Sequence, residues 1–85
     1  MLPDIVAAKP LELHRLHLRF DDGAEGVVDV SELVPFEGVF APLRDPEVFA
    51  RVSVDPELGT VVWPNGADLD PIVLYERIRR GSTAR

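Results

Sequence analysis

The chain has 85 residues, 46% of them apolar and 28% charged, a composition that predicts one globular domain over residues 1–85 rather than disorder. It contains no cysteine, which excludes disulfides and fits a reducing cytoplasm. Fifteen acidic residues outweigh nine basic ones, and the net charge of −6 disfavours a broad nucleic-acid surface. Because the sequence shows neither a membrane-spanning run nor a signal peptide, we expect a cytoplasmic protein without a membrane partner.

Residues 5–20 carry the pattern of two β-strands. The apolar run at residues 5–8 predicts a first strand that ends at Lys9-Pro10, because proline cannot donate a hydrogen bond to a ladder. From residue 11 to residue 20 apolar and polar side chains alternate, but the alternation changes phase once. We therefore predict a second strand with a β-bulge near His14-Arg15. The positions after the bulge that face the core are Leu16, Leu18 and Phe20.

The stretch after the second strand predicts a hairpin and then short helical pieces. Asp21-Asp22-Gly23 tolerates the positive φ angles of a tight turn, so residues 24–30 are expected to return as a third strand. Val28 and Val30 are the core candidates of that strand. Ser31 is a candidate cap for a short helical turn. The apolar stretch that follows is too irregular to predict more than one 3-10 turn.

Two aspartate–proline pairs predict helix starts, because aspartate caps a helix and proline suits its first position. Asp45-Pro46 begins a helix of one or two turns. Asp70-Pro71 begins the last helix, over residues 71–80, which Gly81 is expected to end. Between the two helices, residues 52–63 have the composition of a β-hairpin around a polar loop.

Together these elements predict an α+β fold. We expect a small, mostly antiparallel sheet of about five strands, with three strands before the short helical segments and two in the later hairpin. The C-terminal helix should pack on this sheet, because its apolar residues recur at helical spacing.

The segment from Val61 to Pro71 combines a large aromatic residue, a turn and two carboxylates. Trp63 either plugs the edge of the core, with its indole N–H on a backbone acceptor, or is a partly exposed anchor for a partner. Asp70 is expected to cap the last helix. Asn65 and Asp68 are either turn residues that bond their own backbone or oxygen ligands for a hard cation, although the twelve-residue calcium-loop pattern is absent.

No catalytic pattern is present in the sequence. The odd spacing of His14 and His17 places them on opposite faces of a regular strand, where they cannot share a metal, unless the predicted bulge changes that placement and leaves a zinc or pH role as the alternative. The serines lie outside any nucleophile motif, and there is no glycine-rich phosphate loop. We therefore expect no enzymatic activity, no cofactor and no metal.

Five stretches of the chain together form the pattern of a known family. They are Phe20-Asp21-Asp22-Gly23, Val28-Asp29-Val30, Phe40-Ala41-Pro42-Leu43-Arg44-Asp45, Val62-Trp63-Pro64-Asn65-Gly66-Ala67-Asp68-Leu69-Asp70-Pro71 and Leu74-Tyr75. On these stretches the chain, from about Ile5 to Arg79, resembles the bacterial family called domain of unknown function 2442. The resemblance implies a small α+β fold and supplies no catalytic residues, because the family has no established activity. Its members are often encoded beside a gene for another small protein, and a toxin–antitoxin-like pairing has been suggested for them.

The leading hypothesis is a protein-interaction module, antitoxin-like, that binds a small basic protein encoded nearby. Edge strands in so small a sheet also favour self-association into a homo-oligomer. The candidate interaction surface is Trp63, Asn65, Gly66, Asp68 and Tyr75.

Two alternative functions stay open on the sequence. One is a nucleic-acid-binding or regulatory protein that acts through the C-terminal arginines, which are Arg77, Arg79, Arg80 and Arg85. The other is a small metal-binding or enzymatic domain around Asn65, Asp68 and Asp70.

Overall fold

A computed structural model describes the backbone of residues 3–84 and the side chains of residues 3–80. It confirms the α+β class and divides the strands between two sheets. Strands β1 (Ile5–Leu11), β2 (Arg15–Phe20) and β3 (Glu25–Asp29) form an antiparallel sheet in that order. Strands β4 (Ser53–Asp55) and β5 (Thr60–Val62) form a separate hairpin.

Within residues 3–84, three α-helices and two 3-10 segments connect and cover these sheets. The α-helices are α1 (Val30–Leu33), α2 (Pro46–Phe49) and α3 (Pro71–Ala84). The 3-10 segments are Glu12–His14 and Gly38–Arg44. Helix α3 packs against β3, as expected for the closing helix.

The phase change in the second strand is a turn and not the predicted bulge. Strand β1 continues through Pro10 to Leu11, and the 3-10 segment Glu12–His14 reverses the chain into β2. Proline is tolerated in β1 because β1 is the edge strand of the order β1-β2-β3. At an edge, a residue without an N–H does not leave a carbonyl of a neighbouring strand without its donor. The register irregularity of the sheet lies elsewhere, between Ile5 and Ala7.

Two helix ends also differ from the prediction. The cap of α1 is Asp29 rather than Ser31, because the Asp29 Oδ1 accepts the Ser31 backbone N–H at 3.0 Å. Helix α3 runs through Gly81 to Ala84. A glycine inside a helix costs only about 1 kcal/mol relative to alanine, so Gly81 alone does not end it.

The core lies between the three-stranded sheet, α3 and the later hairpin. The predicted inward residues of β2 and β3 are buried, and so are the α3 residues that face them. Val30, predicted as part of the third strand, is buried as well but is the first residue of α1, because β3 ends at Asp29, the cap of that helix. A Cβ on Gly26 of β3 would lie 2.9 Å from the Ile78 Cγ2, so the sheet and α3 are in direct contact at this glycine. The fully buried residues at this interface include Leu16, Leu18, Phe20, Val28, Val30 and Leu74.

Candidate functional site

Trp63 is part of the core and is not presented to solvent. Its side chain is 2% exposed, and its indole Nε1 donates a hydrogen bond to the Phe49 carbonyl oxygen at 2.9 Å. The rings of Trp63 and Phe49 lie 5.8 Å apart. This confirms the interpretation in which Trp63 closes the edge of the core and its indole N–H donates to a backbone carbonyl. Trp63 therefore does not belong to the exposed part of the predicted interaction surface. Its role is to fix α2 against the end of β5.

Residues 63–67 form a closed turn, here named the Trp63 turn. The Gly66 N–H donates to the Trp63 carbonyl and the Trp63 N–H donates to the Ala67 carbonyl, both at 2.9 Å. Gly66 has a φ of +92°, a conformation that glycine adopts without steric cost. The Asn65 amide accepts the Ala67 N–H at 3.2 Å and donates to the Val39 carbonyl at 2.8 Å. The turn is therefore preorganised and tied to the 3-10 segment Gly38–Arg44.

The two carboxylates after this turn have different roles. Asp70 caps α3, because its Oδ1 accepts the Ile72 N–H at 2.9 Å, as predicted. Asp68 bridges to Val62 through the backbone and is exposed. Within residues 3–80 the carboxylate of Asp68 has no hydrogen-bond or ion-pair partner. It is therefore available to a partner molecule.

The Trp63 turn lies in a long stretch without positive charge. Residues 52–76, here named the acidic segment, contain five carboxylates and no lysine, arginine or histidine. They form β4, β5, the turn and the first part of α3. Like charges along one segment create a negative potential that attracts a positively charged surface.

Tyr75 contacts a different part of the molecule from the Trp63 turn. Its hydroxyl donates to the Asp22 Oδ2 at 2.6 Å, and its ring meets Phe20 edge-on at 5.0 Å. This hydrogen bond is the largest cause that lowers the pKa of the exposed Asp22 carboxyl below its ordinary value, followed by the backbone N–H of Ala24. Tyr75 thus ties α3 to the β2–β3 turn, and its contacts do not join it to Asn65 or Asp68.

A groove that the sequence did not indicate lies on the side of the Glu12–His14 turn. It has a volume of about 570 Å³ and is open to solvent. The first wall is residues 10–14 and the second comes from α2 and the residue after it. The lining residues, which define the Leu13 groove, are Pro10, Leu11, Glu12, Leu13, His14, Pro46, Phe49 and Ala50.

The backbone of this wall is strained. Leu13 has a φ of +62° and His14 a φ of +59°, and Leu13 is 76% exposed. The left-handed conformation costs a residue with a side chain about 1–2 kcal/mol. Such outliers persist only where the surroundings hold them, and they are concentrated at functional sites.

His14 is the residue that holds the strained turn. Its ring lies 5.0 Å from the ring of Phe36 and 5.1 Å from that of Phe49, and its Nε2 lies 3.1 Å from the Arg44 carbonyl oxygen. The only sequence signal for this arrangement was the phase change that had predicted a bulge near His14. Because Phe49 lines the Leu13 groove and also contacts the Trp63 ring, the Trp63 turn supports the second wall of the groove.

The residues proposed for nucleic acid or metal are arranged as follows. The Arg77 Nη1 lies 3.8 Å from the Glu32 Oε1. The guanidinium carbon of Arg79 lies 5.6 Å from the centroid of the Tyr75 ring. Arg80 also has an interaction, and Arg85 lies outside the described residues. Among the residues described, no group of three or more His, Asp or Glu side chains is placed to hold a metal ion.

His17 is paired across the sheet. Its Nε2 lies 3.1 Å from the Glu25 Oε1 on the neighbouring strand.

No helix within the described part of the chain is long and apolar enough to cross a membrane.

Comparison with known proteins identifies a family but no activity. A family model described as a protein of unknown function, DUF2442, matches residues 5–80, which is most of the chain. No curated protein and no solved structure matches the chain.

Proposed function

Because the chain belongs to DUF2442, a family described only as a protein of unknown function, its role has to be argued from its surface, and we propose that it is a protein-interaction module. The observation that carries the proposal is the free carboxylate of Asp68 beside a turn that its own hydrogen bonds already fix. A preorganised surface loses little conformational entropy on binding. The proposed module binds without catalysing a reaction.

The partner is a small basic protein. The acidic segment contains five carboxylates and no cationic residue of its own, which favours a positively charged partner and speeds association. In the finer form of this proposal, the partner is encoded near the gene for this chain and the pair acts in the cytoplasm as a toxin with its antitoxin. This form is supported by the resemblance of the motifs around Trp63 and by the net charge of −6.

The test is a calorimetric titration of the purified chain with the basic product of the adjacent gene, repeated at increasing NaCl concentrations. We expect a stoichiometric complex whose dissociation constant rises with salt, because rim charges are screened. Asp68→Lys should weaken the complex about fivefold to tenfold, in line with one lost charge contact and one new repulsion. Absence of heat at low salt for every basic neighbour would contradict the proposal.

The matched control for this variant is Glu37→Lys. Glu37 is exposed, its carboxylate has no partner within residues 3–80, and the substitution changes the net charge by the same amount, but Glu37 lies outside the acidic segment. Equal loss of affinity in both variants would show that the net charge of the chain, and not the local surface at Asp68, determines the affinity for the partner. Growth arrest by the partner that co-expression of this chain relieves would support the antitoxin form specifically.

A further inference from the structure

Asn65 is the only residue of the chain with an amide side chain, and a glycine follows it. An asparagine before a glycine is the pair in which a backbone nitrogen attacks the side-chain amide most readily, because glycine has no Cβ to obstruct the approach. Both residues are exposed, and a Cβ added at Gly66 would meet no other part of the protein within 4 Å. The reactivity of this pair therefore depends on the turn itself and not on neighbouring side chains.

The reaction at this pair replaces the side-chain amide by a carboxyl group. The Gly66 backbone nitrogen loses its proton to solvent base and bonds to the Asn65 Cγ, the Cγ–Nδ2 bond breaks, and Nδ2 leaves as ammonia. Water then opens the resulting cyclic imide at either of its carbonyls. The product is aspartate, or isoaspartate, in which the backbone runs through the side-chain methylene. Water is the only co-reactant in this sequence of steps.

The folded Trp63 turn holds the groups that have to move in this reaction. The Gly66 N–H donates to the Trp63 carbonyl at 2.9 Å, which directs the attacking nitrogen away from the side chain. The Asn65 Nδ2 donates to the Val39 carbonyl at 2.8 Å, and the Asn65 Oδ1 accepts the Ala67 N–H at 3.2 Å, so the amide is held at both ends. Attack therefore requires the turn to open, and the free energy of that opening sets the rate.

We propose that Asn65 is a deamidation site that the closed Trp63 turn protects, and that deamidation prevents the turn from closing again in the same form. The carboxylate of the product has no hydrogen to donate, so an oxygen would replace the Nδ2 that lies 2.8 Å from the Val39 carbonyl oxygen. The bond between the turn and the 3-10 segment Gly38–Arg44 is then lost. The proposal goes beyond the proposed function and is tested separately from it, by mass and by hydrogen exchange.

The first test follows the mass of the intact full chain at mildly alkaline pH, folded in buffer and unfolded in urea. Deamidation is assigned to Asn65 without ambiguity, because the chain has no other amide side chain. We expect the folded chain to react at least about tenfold more slowly than the unfolded chain. Equal rates would show that the turn gives no protection, and absence of reaction in urea would show that Asn65 is not a deamidation site. Either result would overturn the proposal.

Two variants test whether the turn itself controls the rate. Trp63→Phe removes the indole donor to the Phe49 carbonyl, and its matched control Tyr75→Phe removes the hydroxyl donor to Asp22. Both variants keep an aromatic ring and leave the Asn65-Gly66 pair unchanged. Relative to each variant's own rate in urea, the folded-state rate should rise about fivefold or more in Trp63→Phe, as for one lost hydrogen bond, and less than about twofold in Tyr75→Phe. Equal increases would show that global unfolding, and not the turn, controls deamidation.

Asn65→Asp reproduces the aspartate product and tests the effect of deamidation on the turn. The Trp63 N–H makes the bond that closes the turn, and its protection from hydrogen exchange should fall about tenfold at neutral pH. At about pH 3 the new carboxyl is largely protonated and can donate to the Val39 carbonyl, so protection should return toward that of the wild type at the same pH. Equal protection of the two proteins at neutral pH would contradict the claim that deamidation opens the turn.

Discussion

Two turns of this small protein use the left-handed backbone conformation in opposite ways. The Trp63 turn places Gly66 at a φ of +92°, and an asparagine beside it satisfies the turn's own backbone. The Glu12–His14 turn places Leu13 and His14 at similar angles, although both residues carry side chains that disfavour them. The first turn suits its sequence, and the second is held by contacts from elsewhere in the fold.

The difference separates a structural turn from one that presents a surface. A turn whose residues match its geometry needs no other explanation than stability. A mismatched turn costs free energy, and that cost is retained where the resulting shape is useful. In this molecule the mismatched turn carries Leu13, which is 76% exposed, whereas the matched turn begins with a tryptophan that is 2% exposed.

The largest effect should come from removing Trp63. Trp63→Ala leaves a cavity beside Phe49 and removes the donor to its carbonyl, so we expect a loss of about 3–5 kcal/mol in the free energy of unfolding. Urea denaturation measures it. Trp63→Phe keeps an aromatic ring and loses the N–H, and should cost less. A change below 1 kcal/mol in Trp63→Ala would mean that Trp63 does not anchor the fold.

A smaller effect tests the matched turn directly. In Gly66→Ala the new Cβ meets no atom within 4 Å, so only the backbone strain at a φ of +92° remains. We expect a loss of about 1–2 kcal/mol in the free energy of unfolding. Gly23→Ala, which shares the φ of +92° and the open surroundings, is the control in another turn and should behave alike. An unchanged stability in both would remove the argument from strain.

The hydrogen bond between Tyr75 and Asp22 is exposed to solvent, in contrast to the buried hydrogen bond of Trp63. Because this bond lowers the folded-state pKa of Asp22, it stabilises the fold above the ordinary value of 3.8 and loses this effect as the pH falls through the lower folded-state value. Tyr75→Phe should raise the pKa of Asp22 toward the ordinary value in an NMR titration. It should also be less stable than the wild type at neutral pH but not in strong acid. Identical Asp22 titrations in both proteins would contradict this.

The smallest effect is expected at the pair of His17 and Glu25. Both side chains are largely exposed, so Glu25→Gln should change the free energy of unfolding by at most about 0.5 kcal/mol, and less in high salt. Urea denaturation at two salt concentrations measures it. A loss clearly above about 0.5 kcal/mol at both salt concentrations would contradict the description of this pair as a weak surface contact.

Local signals predicted most of the fold. Alternation placed Leu16, Leu18 and Phe20 inside, and the aspartate–proline pairs placed the starts of α2 and α3, because a cap acts within its own turn. The burial of Trp63 was one of the two alternatives that its position at a strand end left open, and the structure decides for it. These features depend on neighbours in sequence.

The groove depended on contacts that the sequence does not display. Its two walls come from residues 10–14 and 46–50, and they meet only after the sheet has paired. A positive φ is rare for leucine and still uncommon for histidine, so the residue types of Leu13 and His14 did not predict this conformation. The contacts of His14 with Phe36, Phe49 and the Arg44 carbonyl hold it in place. A one-residue phase change is compatible with a bulge or a turn, and the pairing of β1 with β2 on either side of Glu12–His14 decides for the turn.

The most direct test of this comparison between the two turns is the free energy of unfolding of the wild type and Leu13→Gly, measured by urea denaturation. Leu13 has a φ of +62° and is 76% exposed, so Leu13→Gly relieves backbone strain and leaves no cavity. We expect the free energy of unfolding of Leu13→Gly to exceed that of the wild type by about 0.5–1 kcal/mol, after the conformational entropy that glycine loses on folding. An equal or lower value for Leu13→Gly would contradict the account.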